Sequence, residues 1–92
     1  MVSAAGLDLA ARAALITRLR SIEGQARGIE RMLDEDRDCQ QIMDQLAALR
    51  AASHAVTMQA LEALARHCLR ASPQEPETVI GELVGVVSRL LR

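Results

Sequence analysis

Residues 15–33 read LITRLRSIEGQARGIERML, and the apolar members fall at Leu15, Leu19, Ile22, Ala26, Ile29 and Leu33. The steps run four, three, four, three, four, which holds one apolar stripe on an α-helix with coiled-coil-like spacing. The stripe predicts a helix from about Leu7 to Leu33, with Gly24 marking a close approach of another backbone. The acidic run Asp34 to Asp38 interrupts it, and Asp36 or Asp38 is suited to cap a second helix. That helix runs from about Asp38 to Arg70 on the stripe Cys39, Ile42, Leu46, Leu49, Ser53, Val56, Leu61, Leu64 and Cys68. Ser72-Pro73-Gln74-Glu75-Pro76 is a stop and restart, with Pro76 fitted to a first helical turn. A third helix, about Pro76 to Leu91, carries Val79, Ile80, Leu83, Val86, Val87, Leu90 and Leu91.

No strand-like alternation, internal repeat or low-complexity tract appears, so the expected class is all-α. The 92 residues form a single domain, 1–92, with 1–6 a flexible tail. Half the residues are apolar and none is Phe, Tyr or Trp, so the core is aliphatic, with Met32 and Met43 as filler. Two long antiparallel helices and a short one cannot cover their own apolar faces. A pair of such hairpins can, as a four-helix bundle.

The net charge of −1 hides a segregation. All 11 basic residues are Arg, and Arg12 to Arg31 holds five of them against Glu23 and Glu30. The acids gather at Asp34, Glu35, Asp36 and Asp38, and again at Glu75, Glu77 and Glu82. The first helix therefore offers a basic face suited to phosphates, set against the plainer reading of a solvated surface laced with ion pairs. No apolar run spans a membrane and no signal pattern opens the chain, which points to a cytoplasmic protein without membrane contact. In that compartment a static disulfide is disfavoured, leaving metal or redox chemistry for the cysteines.

Cys39 and Cys68 are 29 residues apart on one helix. They share a direction to within about 20° and stand about 43 Å apart along the axis. They cannot meet within a chain. If two copies pack antiparallel about a two-fold axis, Cys39 of one lies near Cys68 of the other, and two equivalent sites result. The plainer reading is a pair of small buried hydrophobes. Cys39, in a first helical turn, gains thiolate character from the dipole, opposed by Asp36 and Asp38. His67 adjoins Cys68 but points about 100° away, so it suits a surface or thiol-tuning role better than a shared ligand. His54 suits a polar or interface position.

Three stretches carry a family resemblance: Arg18-Leu19-Arg20-Ser21-Ile22-Glu23-Gly24-Gln25-Ala26-Arg27-Gly28-Ile29, Met32-Leu33-Asp34-Glu35-Asp36-Arg37-Asp38-Cys39, and Gln45-Leu46-Ala47-Ala48-Leu49-Arg50-Ala51-Ala52. With the spacing from Arg18 to Cys39 and Cys68, nearly the whole chain resembles the copper-sensitive operon repressor (CsoR/RcnR) family. The resemblance implies a three-helix protomer, an antiparallel four-helix dimer and a dimer of dimers. It also implies binding of operator double-stranded DNA without a helix-turn-helix, released by an inducer held across the dimer interface. Arg18 and Arg50 occupy positions resembling the family's DNA contacts, Arg20 and Arg27 add phosphate contacts, and Glu82 resembles an acid supporting the inducer site.

The family's copper site needs a His one turn before the second cysteine, and that position is Leu64. Nickel or cobalt sensing needs the same His and N-terminal histidine, and formaldehyde sensing an N-terminal Pro where this chain has Val2. What remains resembles the persulfide-sensing, CstR-like branch. On that resemblance the chain is a homodimeric or homotetrameric repressor whose Cys39 and Cys68 sense reactive sulfur, with no cofactor. The alternative is a Cu(I)-responsive repressor of copper-efflux genes, holding the metal on Cys39 and Cys68 with a displaced His67. A thiol enzyme is disfavoured, because there is no CxxC motif, no pocket signature and no base beside either thiol. A purely structural helical adaptor leaves the cysteine pair and the segregated arginines unexplained.

Overall fold

The computed structural model describes residues 6–71 and 76–91. The expected tail, apart from Gly6, and the stop from Ser72 to Glu75 lie outside the described residues. Three helices follow in order: α1 Leu9–Asp34, α2 Cys39–Ala71 and α3 Pro76–Leu90. Among the described residues there is no strand. α1 begins two residues later than its stripe predicts, because Asp8 takes the N-cap conformation and its carbonyl accepts the Arg12 N–H at 2.9 Å.

The α1–α2 turn is built from the acidic run. Glu35 N–H bonds to the Arg31 carbonyl, and Arg37 N–H reaches back to the Met32 carbonyl at 3.0 Å. Between them Asp36 adopts φ 54°. That left-handed residue, with the bond closing behind it, is a Schellman-type stop. Asp tolerates the conformation better than most L-residues because its short polar side chain bonds locally. Asp36 therefore ends α1 rather than capping α2. Asp38 stands at the start of α2, its carbonyl accepting the Ile42 N–H at 3.1 Å.

The turn folds α1 back along α2 as an antiparallel hairpin. Asp8 and Ala11 share a groove with Ala63 and Arg66, while Arg18 shares one with Ala55 and Ala65. α3 returns over the open end of the hairpin, where Val86 and Leu90 meet Leu15, Leu19, Leu61 and Leu64.

Little of this is covered. The buried aliphatic core is Ile29 at 6% exposure and Ile42 and Val56 at 9% each. Within the same stripes Leu33 is 58% exposed and Leu46 39%. Met43, expected in the core, is 62% exposed, because a two-helix layer has no third element on that side; Met32 is half-buried. Gly24 also departs from expectation, since among the described residues no other segment comes within 4 Å of a Cβ built there. The accessible surface is 7146 Å² for 10.0 kDa, against about 5,200 Å² for a compact monomer of that mass. The hairpin is a layer 15 Å thick and 56 Å long whose apolar stripes await cover.

The left-handed turn makes a direct prediction. Asp36→Val should lower stability by about 1–2 kcal/mol, because a β-branched residue fits that region poorly, whereas Asp36→Gly should be neutral or slightly stabilising. Thermal unfolding at fixed protein concentration checks both, and a Val variant as stable as the parent contradicts the assigned turn.

Candidate functional site

α2 determines the geometry of the cysteines. Cys39 is its first residue, exposed and unbridged. Cys68 lies on the same unbroken helix, although its side chain is outside the described residues. The rise of an α-helix puts them about 43 Å apart, so one chain holds half of each thiol pair. Among the described residues no group of three or more His, Cys, Asp or Glu is placed to hold a metal ion.

Among the described residues, the position one turn before Cys68 holds no donor. Leu64, at that position, is half-buried and lines an apolar groove of about 340 Å³ with Leu15, Leu19, Leu61, Val86 and Leu90. His67 is not a free surface residue. Its ring lies against Gly6, so closely that any Cβ there would overlap Cε1 and Nε2. Gly6 thus packs against the His67 ring near the C-terminal end of α2, a contact that helical periodicity does not reveal, and a side chain at position 6 would move the imidazole. His54 is exposed at mid-helix, and Glu82 is exposed on α3.

The arginines divide. On α1, Arg20 and Arg27 share a direction to within about 20°, while Arg18 faces the opposite side. All three are exposed, and Arg18 lines the groove against α2. The expected single basic face is therefore two surfaces, because Arg18 falls on the flank of the apolar stripe. Arg27 is also partly compensated by Glu23 at 3.8 Å, an exposed pair that contributes little to stability. On α2, exposed Arg50 falls within about 20° of the direction of both Cys39 and Cys68. One face of α2 thus carries the two thiols and an arginine between them.

The described residues form an all-helical layer with uncovered apolar stripes, and its two cysteines lie toward opposite ends of α2. The family described as metal-sensitive transcriptional repressor matches residues 11–89, and this chain belongs to it. The copper-sensing transcriptional repressor CsoR of Bacillus subtilis (strain 168) is 36% identical over 80 residues, covering 85% of this chain and 79% of that one. The copper-sensing transcriptional repressor RicR of Mycobacterium tuberculosis (strain ATCC 25618 / H37Rv) is 33% identical over 79 residues, covering 82% of each. A crystal structure of the copper-sensing repressor CsoR with Cu(I) from Geobacillus thermodenitrificans NG80-2 superposes with a TM-score of 0.77 at 28% identity. That match covers 100% of this chain and 95% of the other.

These relatives overturn one expectation. The absence of a His at position 64 led to a site with no metal, yet the named relatives are copper sensors and the similar crystal structure contains Cu(I). The missing His removes one donor and leaves the thiol pair, so it does not exclude a soft metal. The reactive-sulfur branch is not distinguished by these relatives.

The Gly6 contact is testable. Gly6→Val should displace the imidazole and shift the His67 ring-proton resonances while leaving helical content unchanged. Resonances identical to those of the parent contradict the contact.

Proposed function

We propose that this chain is an operator-binding repressor released by Cu(I), which is held between Cys39 of one chain and Cys68 of a second. The observation that carries the reading is the placement of both thiols on one face of α2, at opposite ends of a helix too long for them to meet. Family membership and the copper-sensing relatives support metal over reactive sulfur.

The donor set fits. Thiolates are the soft ligands that select Cu(I), and a pair of them from two chains is available at each end of an antiparallel dimer. Leu64 offers no third donor, and the His67 ring packs beside Gly6. When bound, Cu(I) supplies two metal–thiolate bonds that join the chains.

The remaining parts act through the helices. The uncovered stripe on α2 supports a four-helix dimer, and the exposed face of α3, with Ile80, Val84 and Val87, supports association of dimers. Arg50 lies within one turn of the midpoint between residues 39 and 68, so the two Arg50 side chains of an antiparallel dimer stand close to its axis. Arg18 lies nearer the end of each hairpin, and Arg20 and Arg27 add charge on the outer surface of α1. Drawing the cysteine ends together repositions α2, and with it the arginine spacing that fits the phosphates. Glu82 on α3 and His67 on α2 support the sensing end. The work is binding, with no catalytic step.

Operator anisotropy tests the inducer. Reduced protein should bind, and about one Cu(I) per chain should release it, as expected for two equivalent sites in a two-fold dimer. Cys39→Ala should keep its operator affinity and lose the response. Release by an organic persulfide with a cross-linked dimer mass, and none by Cu(I), contradicts the copper reading.

The arginines have a separate readout. Arg18→Ala or Arg50→Ala should weaken binding and reduce the slope of log K against log salt by about one for each phosphate that the side chain neutralises. An unchanged slope assigns that residue to packing or ion pairing.

A further inference from the structure

Gln59 lies on α2 where the helix faces α1. Its side-chain carbonyl oxygen is buried, and it has no hydrogen-bond partner. A buried amide acceptor without a donor forfeits its hydration uncompensated. The atom therefore marks a place where a donor belongs.

Two grooves meet at Gln59. One, about 200 Å³, brings Arg66 near, but the Arg66 guanidinium is held by Glu62 at 2.6 Å. The other, about 470 Å³, is lined by Arg18, Glu62, Met58 and Gln59. Arg18 is exposed and forms no ion pair among the described residues. Its guanidinium has five donors and no acceptor capacity. It is the uncommitted cation beside an unsatisfied acceptor, with the Glu62 carboxylate in the same groove to attract it.

We propose that Gln59 is a latch for Arg18: a change of side-chain rotamer, not made in the structure described, would carry the Arg18 guanidinium to the buried carbonyl oxygen, and the operator would compete for the same side chain. This rests on the reading that Arg18 contacts DNA. Arg18 is then a two-position residue, and operator affinity depends on the difference between its hydrogen bonds in the groove and on phosphate. Gln59, whose side-chain oxygen is buried, would set the affinity of the repressor by competing for one of its arginines.

The test is operator affinity, with its salt dependence, for Gln59→Leu, Gln59→Glu, Arg18→Ala and the Arg18→Ala/Gln59→Leu double variant. Gln59→Leu removes the acceptor at similar volume and should tighten binding by about three- to fivefold, the effect of one net hydrogen bond. Gln59→Glu should weaken binding, because a charged acceptor holds the guanidinium harder. Because removing a buried acceptor or adding a negative charge can shift binding in these directions without a latch, the double variant decides. In the Arg18→Ala background Gln59→Leu should have no effect, since contacting residues are non-additive. If Arg18→Ala weakens binding but Gln59→Leu acts equally in both backgrounds, or in neither, the latch is wrong. If Arg18→Ala changes neither affinity nor salt slope, the DNA contact itself is wrong, and the latch falls with it.

Discussion

The structure depends on the length of α2. A continuous helix of 33 residues separates its terminal thiols beyond the reach of any fold of one short chain. The same length leaves an apolar stripe that one neighbouring helix cannot cover, as exposed Leu46 and Met43 show. Both deficits have the same remedy. On the proposed reading, a second copy antiparallel to the first would cover the stripe and bring Cys68 to Cys39. Stability and sensing would then be tied to one interface, and a ligand that pulls on the cysteines would act on the packing that holds the dimer together.

The charges fit this arrangement better than the net value of −1 suggests. The arginines are spread over three surfaces: the outer side of α1, the groove beside α2, and the cysteine face of α2. Arg50 lies on the α2 face that carries positions 39 and 68, and Arg18 faces a groove that also holds Glu62 and the unsatisfied Gln59. Each therefore has a neighbour that changes when the helices move. Arg20 and Arg27, on the solvated side of α1, have no such coupling and suit a fixed electrostatic contribution.

Much of the fold is legible in the sequence because helical periodicity is a local property. The alternating steps from Leu15 to Leu33 and the cysteine-bounded stripe of α2 locate both long helices to within two residues. The same periodicity places positions 39 and 68 on one face of α2, too far apart to meet within a chain. What it cannot show depends on tertiary packing or backbone conformation. Asp36 reads as a helix cap, yet it stops α1 in a left-handed turn through bonds made by its neighbours. The packing of His67 against Gly6 and the orphaned Gln59 oxygen come from the pairing of α1 with α2, which no single stripe encodes. Leu64 is an absent donor, as the sequence indicates, but one missing ligand weighs less than two remaining thiols. The named relatives are copper sensors.

The central claim, that each site is shared between two chains, is tested most directly by complementation. Cys39→Ala and Cys68→Ala proteins would be unfolded together, refolded, and assayed for tight Cu(I) binding beside each variant alone. An intersubunit site predicts that neither variant alone binds. The mixture should recover about one quarter of the wild-type copper per chain, the statistical share of mixed dimers with one intact end. No recovery on mixing, or full binding by either variant alone, would contradict it.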